Sequence, residues 1–253
     1  MRSNTNCPAE FETKITVNPL SLVGAGGVIW VLASIIAFAA LKPFLPAKEW
    51  ADVYAAVAKF ISAMCLAYFA KEVGINISAV LRDWWRNRAR HLQIVIRYFL
   101  VYAGFLLLIL GALAVALISL EKTGLIAPAL IDLAGNTELN GKMAQLRVIM
   151  ERSIPRFAIS LLSMCVLAPV IEEVYFRRFL FVSLRKKVNF VPALLISSIL
   201  FMAVHPNLAL GAVGGIYLGY IYEKGKSLPA NILIHSVVNF ITITIGIVLS
   251  SLD

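Results

Sequence analysis

The chain has 253 residues, 60% of them hydrophobic and only 15% charged, against roughly 25% charged in a soluble domain, which excludes a water-soluble globular fold. The formal charge of +9 sits in no recognisable nucleic-acid-binding motif, so nucleic acid is not an expected partner, and the basic residues read as those of membrane-protein loops. Three cysteines, Cys7, Cys65 and Cys165, show no spacing for a disulfide framework or a CxxC metal site. Cys165 reads as a small packed hydrophobe.

The first 19 residues are polar and contain no apolar signal-peptide core. The run that follows is too long for a cleaved signal and reads as a retained first span. Seven apolar segments stand out, at 20–41, 53–70, 98–120, 157–176, 188–205, 208–222 and 229–251. A span needs about 20 apolar residues. Five segments satisfy this, while 188–205 and 208–222 are short and separated by Pro206 and Asn207. The fold class expected is all-α, a polytopic transmembrane helical bundle of about seven membrane segments with a partial hairpin at 188–222. The expected division is into N-terminal helices with a connector, 1–156, and a second transmembrane helical core, 157–253.

With a cytoplasmic N-terminus, 15 of the 23 Lys and Arg residues lie on the cytoplasmic side, against 7 on the other and Lys59 inside a span. That bias favours N-in, C-out, in a cell membrane and most simply a prokaryotic plasma membrane. Lys59 is expected to snorkel to the nearer interface. The segment 82–91, RDWWRNRARH, reads as a juxtamembrane anchor, with Trp84 and Trp85 at headgroup level and anionic lipid as the other reading. The patch 142–154 reads as a surface lid or a simple connector.

Ionisable residues within spans are costly and usually mark function. Here they concentrate in the second half. In IEEVYFRRF (171–179), Glu172 and Glu173 end an apolar run. Glu173 and Arg177 are four apart, on one helix face and in the favourable order. Both acids can also be read as interfacial ion pairs with Arg177 and Arg178, and Arg178 alone reads as an anchor. In FMAVH (201–205), His205 ends a span just before a proline, where a broken helix can line a cavity; alone it also reads as a satisfied core histidine. In HSVVN (235–239), His235 and Asn239 share a face. They are a donor pair suited to a developing oxyanion, or interhelical hydrogen-bond glue. No HExxH, no GxSxG and no aspartyl-protease pair occurs. Glutamate plus histidine remains.

EEVYFR, FMAVH and HSVVN resemble the motifs E-E-x-x-x-R, F-x-x-x-H and H-x-x-x-N of the CPBP family, the type II CAAX endopeptidases and their bacterial relatives. They occur in the family's order, each on its own predicted span, and the resemblance covers roughly 160–245. It implies peptide hydrolysis inside the membrane. Glu172 would activate water as general base, His205 would help to hold that water, and His235 with Asn239 would stabilise the oxyanion. Glu173 with Arg177 would orient the site. No cofactor is expected on the glutamate-dependent reading; the alternative is zinc held by Glu172, His205 and His235. The partners implied are a membrane-anchored or lipidated peptide or protein and the membrane lipids themselves.

Glu172 and His235 lie toward the same ends of their helices, while His205 lies some 25 Å along a helix that starts at that end. The three meet only if helix 157–186 projects beyond the bilayer and 188–222 is a partial hairpin, which is the arrangement expected. Two other readings stand beside it. One is a non-enzymatic membrane protein of the same family with an immunity or scaffold role. The other is an ion-coupled transporter, which would normally show inverted repeats that are absent here.

Overall fold

The computed structural model describes residues 17–46, 50–101, 104, 119, 137–205 and 208–249, and every regular element among them is a helix. In chain order these are α1 Pro19–Leu41, α2 Ala51–Glu72, α3 Ile77–Arg86, α4 over 88–101, α5 Thr137–Arg152, α6 Ile154–Arg185, α7 Phe190–Ala203, α8 Leu208–Gly225 and α9 Leu228–Leu249. Local sequence explains several starts. Asn18 caps α1 by accepting from the Leu20 amide, ahead of Pro19 at the first helical position, where a missing N–H costs nothing. Asn76 caps α3 through the Ala79 amide.

Four of these helices, α1, α2, α6 and α9, are long and apolar enough to cross a membrane. They correspond to four of the seven expected segments. The segment 98–120 lies mostly outside the described residues. The remaining two are α7 and α8; the shortness expected of both is seen in α7, whereas α8 runs on to Gly225 for 18 residues. The 14 residues of α7 extend only about 21 Å, against a hydrocarbon core of about 30 Å. By contrast α6 runs for 32 residues, roughly 45 Å of helix, so it outlasts the hydrocarbon thickness even when tilted.

The tight pairing of α7 with α8 comes from glycines four apart on one face of α8. A Cβ on Gly211 would lie 2.9 Å from His205 Cβ and 3.0 Å from Met202 Cα, and one on Gly215 would lie 3.1 Å from Ser198 Cα. Small residues at this spacing let two backbones touch in an apolar medium, and here they also fix where His205 sits. The core beneath them joins α6 to α9 through Phe176, Leu180, Phe181, Phe201, Ile221 and Ile234.

The N-terminal helices pack directly on α6. Leu22, Leu66 and Ala70 surround Phe179, the Tyr175 hydroxyl donates to the Leu22 carbonyl at 2.8 Å, and Arg156 pairs with Asp52 at 2.6 Å. The division drawn at 156/157 therefore falls in the first turn of a helix that both parts share. α5 occupies the stretch read as lid or connector and buries Met143, Leu146 and Ile149. Met143 and Leu146 pack against Cys165 and Ile243. Trp85 is exposed, with the Arg88 guanidinium over its ring. Trp84 turns inward against the core, because neighbours on a helix point about 100° apart.

Replacing Gly211 by Leu should push α8 off Met202 and His205. The expected cost is about 1–3 kcal/mol, read as a fall of several degrees in Tm for the detergent-solubilised protein. Gly214→Ala is the control: its Cβ would meet Phe201 at an ordinary 3.8 Å, and Tm should hold or rise. Equal Tm for both variants would contradict the close-packing account.

Candidate active site

Two wide-turn stretches of π-helix interrupt α6, at Ser163–Leu167 and Glu173–Phe181. In each, amides bond carbonyls five residues back, as Ala168 does to Ser163 and Val182 to Arg177. Such bulges change the angular spacing of side chains and recur at functional sites. Glu172 lies between them and Glu173 begins the second. α9 supplies Asn231 and His235, and the chain just past α7 supplies His205.

The three residues Glu172, His205 and His235 converge. Glu172 Oε2 is 3.4 Å from His205 Nε2 and 3.8 Å from His235 Nε2, and the possible ligand atoms of all three lie within 4.8 Å of one another. The other ring nitrogens fix the tautomers. His205 Nδ1 lies 2.7 Å from the Phe201 carbonyl, which can only accept, so Nδ1 carries a proton. His235 Nδ1 lies 3.1 Å from Glu173 Oε1, with the same consequence. In the neutral rings both Nε2 atoms therefore present lone pairs toward a carboxylate oxygen that is itself buried and makes no aligned hydrogen bond. Three acceptors around one point call for a species that supplies protons or positive charge. A water molecule does so, and the donor set of one carboxylate and two imidazoles also fits zinc.

Behind this cluster lies a second polar layer with no solvent contact. Glu173 and Arg177 are each 0% exposed and pair at 3.0 Å. The same carboxylate oxygen accepts from Asn231 Nδ2 at 3.1 Å, and Nδ2 also donates to the Leu218 carbonyl of α8 at 2.7 Å. Arg177 reaches Ser197 of α7 and lies over the Phe201 ring. That ring in turn stacks on His205 with centroids 4.2 Å apart. One carboxylate thus sets the orientation of His235 directly. It sets that of His205 through an arginine and a phenylalanine.

The structure brings together Glu172, His205 and His235 as the sequence reading required, with Glu173 and Arg177 behind them. Asn239, one turn beyond His235 on α9, donates from its amide to the Met164 carbonyl at 2.9 Å, within the first wide-turn stretch of α6. Two expectations need correction. Arg178 is 3% exposed and is not an interfacial anchor. Lys59 does not snorkel along α2 to an interface; its ammonium donates to Ser163 Oγ of α6 at 3.2 Å. Sequence reading missed Asn231, although it lies four residues before His235 in the series 231, 235, 239 and so on the same helix face. It missed Ser197 for want of any such signal.

The fold and site are those of a polytopic helical membrane protein built round a buried glutamate–histidine centre. Residues 154–241, which contain all seven fixed positions of the three motifs, match the family model described as Type II CAAX prenyl endopeptidase Rce1-like. The chain is also similar to the "Putative membrane peptidase YdiL" of Bacillus subtilis (strain 168), at 34% identity over 77 residues, 29% of this chain and 32% of that protein. The match thus spans about a third of the length of that curated relative. No solved structure matches the chain.

Arg177→Met leaves Glu173 buried without its cation and should cost about 3–5 kcal/mol of stability, measured by thermal or chemical unfolding. Asn231→Ala should cost less, about 1–3 kcal/mol. A change below about 0.5 kcal/mol in Arg177→Met, within the range of an exposed pair, would show that the pair does not organise the core.

Proposed function

We propose that the protein is an intramembrane endopeptidase that hydrolyses a peptide bond of a membrane-anchored or lipidated protein or peptide through a glutamate-activated water. The observation that carries this reading is the convergence of Glu172 Oε2 with the two Nε2 atoms at 3.4 and 3.8 Å. A water placed among these acceptors is held by His205 and gives a proton to Glu172 as its oxygen attacks the peptide carbonyl carbon. Enclosure among apolar helices strengthens each electrostatic contact in that step. In its imidazolium form, with Nδ1 on the Glu173 carboxylate, His235 donates from Nε2 to the oxyanion, and the water is then shared by Glu172 and His205 alone. Asn239, one turn along the same face, supplies a second donor on release from Met164. Protonated Glu172 then passes its proton to the leaving amine, which closes the cycle.

The reading as metal-free catalysis needs no cofactor. If zinc is resident, Glu172, His205 and His235 would hold it, and it would supply a polarised, more acidic water. In either case the helices of 157–253 carry the reacting groups, and those of 1–156 brace α6 and bound the site. The excess of basic residues on one side supports a cytoplasmic N-terminus in a prokaryotic plasma membrane.

The test is cleavage of membrane-anchored peptides, prenylated and unprenylated, by the purified protein. Glu172→Gln should lower turnover at least about 100-fold, and His205→Ala and His235→Ala should each lower it comparably. Activity that resists chelators supports the metal-free form, and activity abolished by chelators and restored by zinc supports the metal form. Unchanged turnover in Glu172→Gln would overturn the assignment.

A further inference from the structure

Lys59 takes part in none of these steps. It lies within α2, one of the four helices long and apolar enough to cross a membrane, where an ammonium is costly and in general marks function. It does not escape to an interface. Its Nζ donates to the hydroxyl of Ser163 at 3.2 Å, a residue only 3% exposed that opens the first wide-turn stretch of α6. An ammonium has three donors, and this bond uses one of them on a neutral acceptor. Among the described residues no carboxylate forms an ion pair with Lys59. Asp52, seven residues earlier on the same face of α2, is taken by Arg156. Glu172, the reacting carboxylate, lies nine residues beyond Ser163 on α6, at the end of the stretch Ala168–Glu172 that packs against α2. The site therefore keeps an unneutralised cation within electrostatic reach of its catalytic carboxylate, on a helix packed against the one that carries it.

We propose that Lys59 is a specificity residue that binds a carboxylate of the peptide substrate, a few residues from the bond held at Glu172. An extended peptide advances about 3.3–3.6 Å per residue, so a negative group near the scissile bond can reach Lys59 while the bond lies against Glu172. The chemistry is that of a carboxylate on an ammonium, and it has two sources, a free C-terminus or an acidic side chain. The inference rests on reading Glu172, His205 and His235 as the place where the peptide is held.

Binding separates this inference from hydrolysis. The full-length Glu172→Gln protein in nanodiscs is titrated with three N-palmitoylated peptides of one apolar sequence: a free acid, its C-terminal amide, and an amide carrying one glutamate near the C-terminus. The free acid should bind about tenfold or more tightly than the plain amide if the C-terminus is the source; the glutamate peptide should do so if a side chain is. Lys59→Met should abolish that preference while the plain amide binds both proteins alike, which also shows that the variant is folded. Lys59→Arg should restore it. Loss of affinity for all three peptides in Lys59→Met, no preference for either carboxylate, or no binding at all would overturn the role of Lys59. A preference that depends on Lys59 in a protein that cuts nothing would preserve it and refute hydrolysis. Cleavage indifferent to Lys59 and to the carboxylate would do the reverse.

Discussion

The buried pair of Glu173 and Arg177 is the interaction on which the rest of the structure depends. Both side chains are fully enclosed, where an isolated charge would be very costly. Neutralisation alone does not satisfy such a carboxylate; its remaining lone pairs must also be bonded. Asn231 and His235 of α9 do that, and Asn231 extends the network to α8. Four helices are thereby held in one register by a single acid. The consequence for chemistry is that His235 cannot rotate: its Nδ1 is committed to Glu173, so its Nε2 must face Glu172.

A second constraint is length. The α7–α8 hairpin is closed by glycine contacts, and α7 is too short to cross the hydrocarbon alone. A full crossing would carry His205 to the far side of the membrane from Glu172. The short helix and the break after it leave His205 within 3.4 Å of that carboxylate, while α6 is long enough to present Glu172 and still extend beyond the bilayer. Depth in the membrane, set by helix length, thus decides whether the three side chains meet.

The legibility of these features in the sequence follows from the kind of signal each leaves. Charge-free runs made the helical bundle plain. Glu172, Glu173, His205 and His235 stood out because ionisable groups are rare in such runs. The shortness of the 188–222 pair was enough to expect a partial hairpin. The glycine contacts that close it were within reach of the four-residue spacing at 211, 215 and 219 but were not used. Asn231 was passed over because a neutral amide raises little alarm in an apolar segment, and Ser197 for the same reason. Arg178 and Lys59 were misplaced for one cause. Long cations on apolar helices usually snorkel to water, and only tertiary packing reveals that these two have turned inward. The bond from Asn239 to the Met164 carbonyl on another helix is a contact no local pattern encodes.

The central claim is that Glu172 delivers a water molecule to the peptide carbonyl. Single-turnover cleavage of a membrane-anchored peptide in oxygen-18-labelled water tests it most directly, with mass analysis of the product and of the protein. The account predicts one labelled oxygen in the newly formed carboxylate on the first turnover, no label and no covalent adduct on Glu172, and no product from Glu172→Gln. A trapped acyl adduct on the protein, or labelled product formed at the same rate by Glu172→Gln, would contradict it.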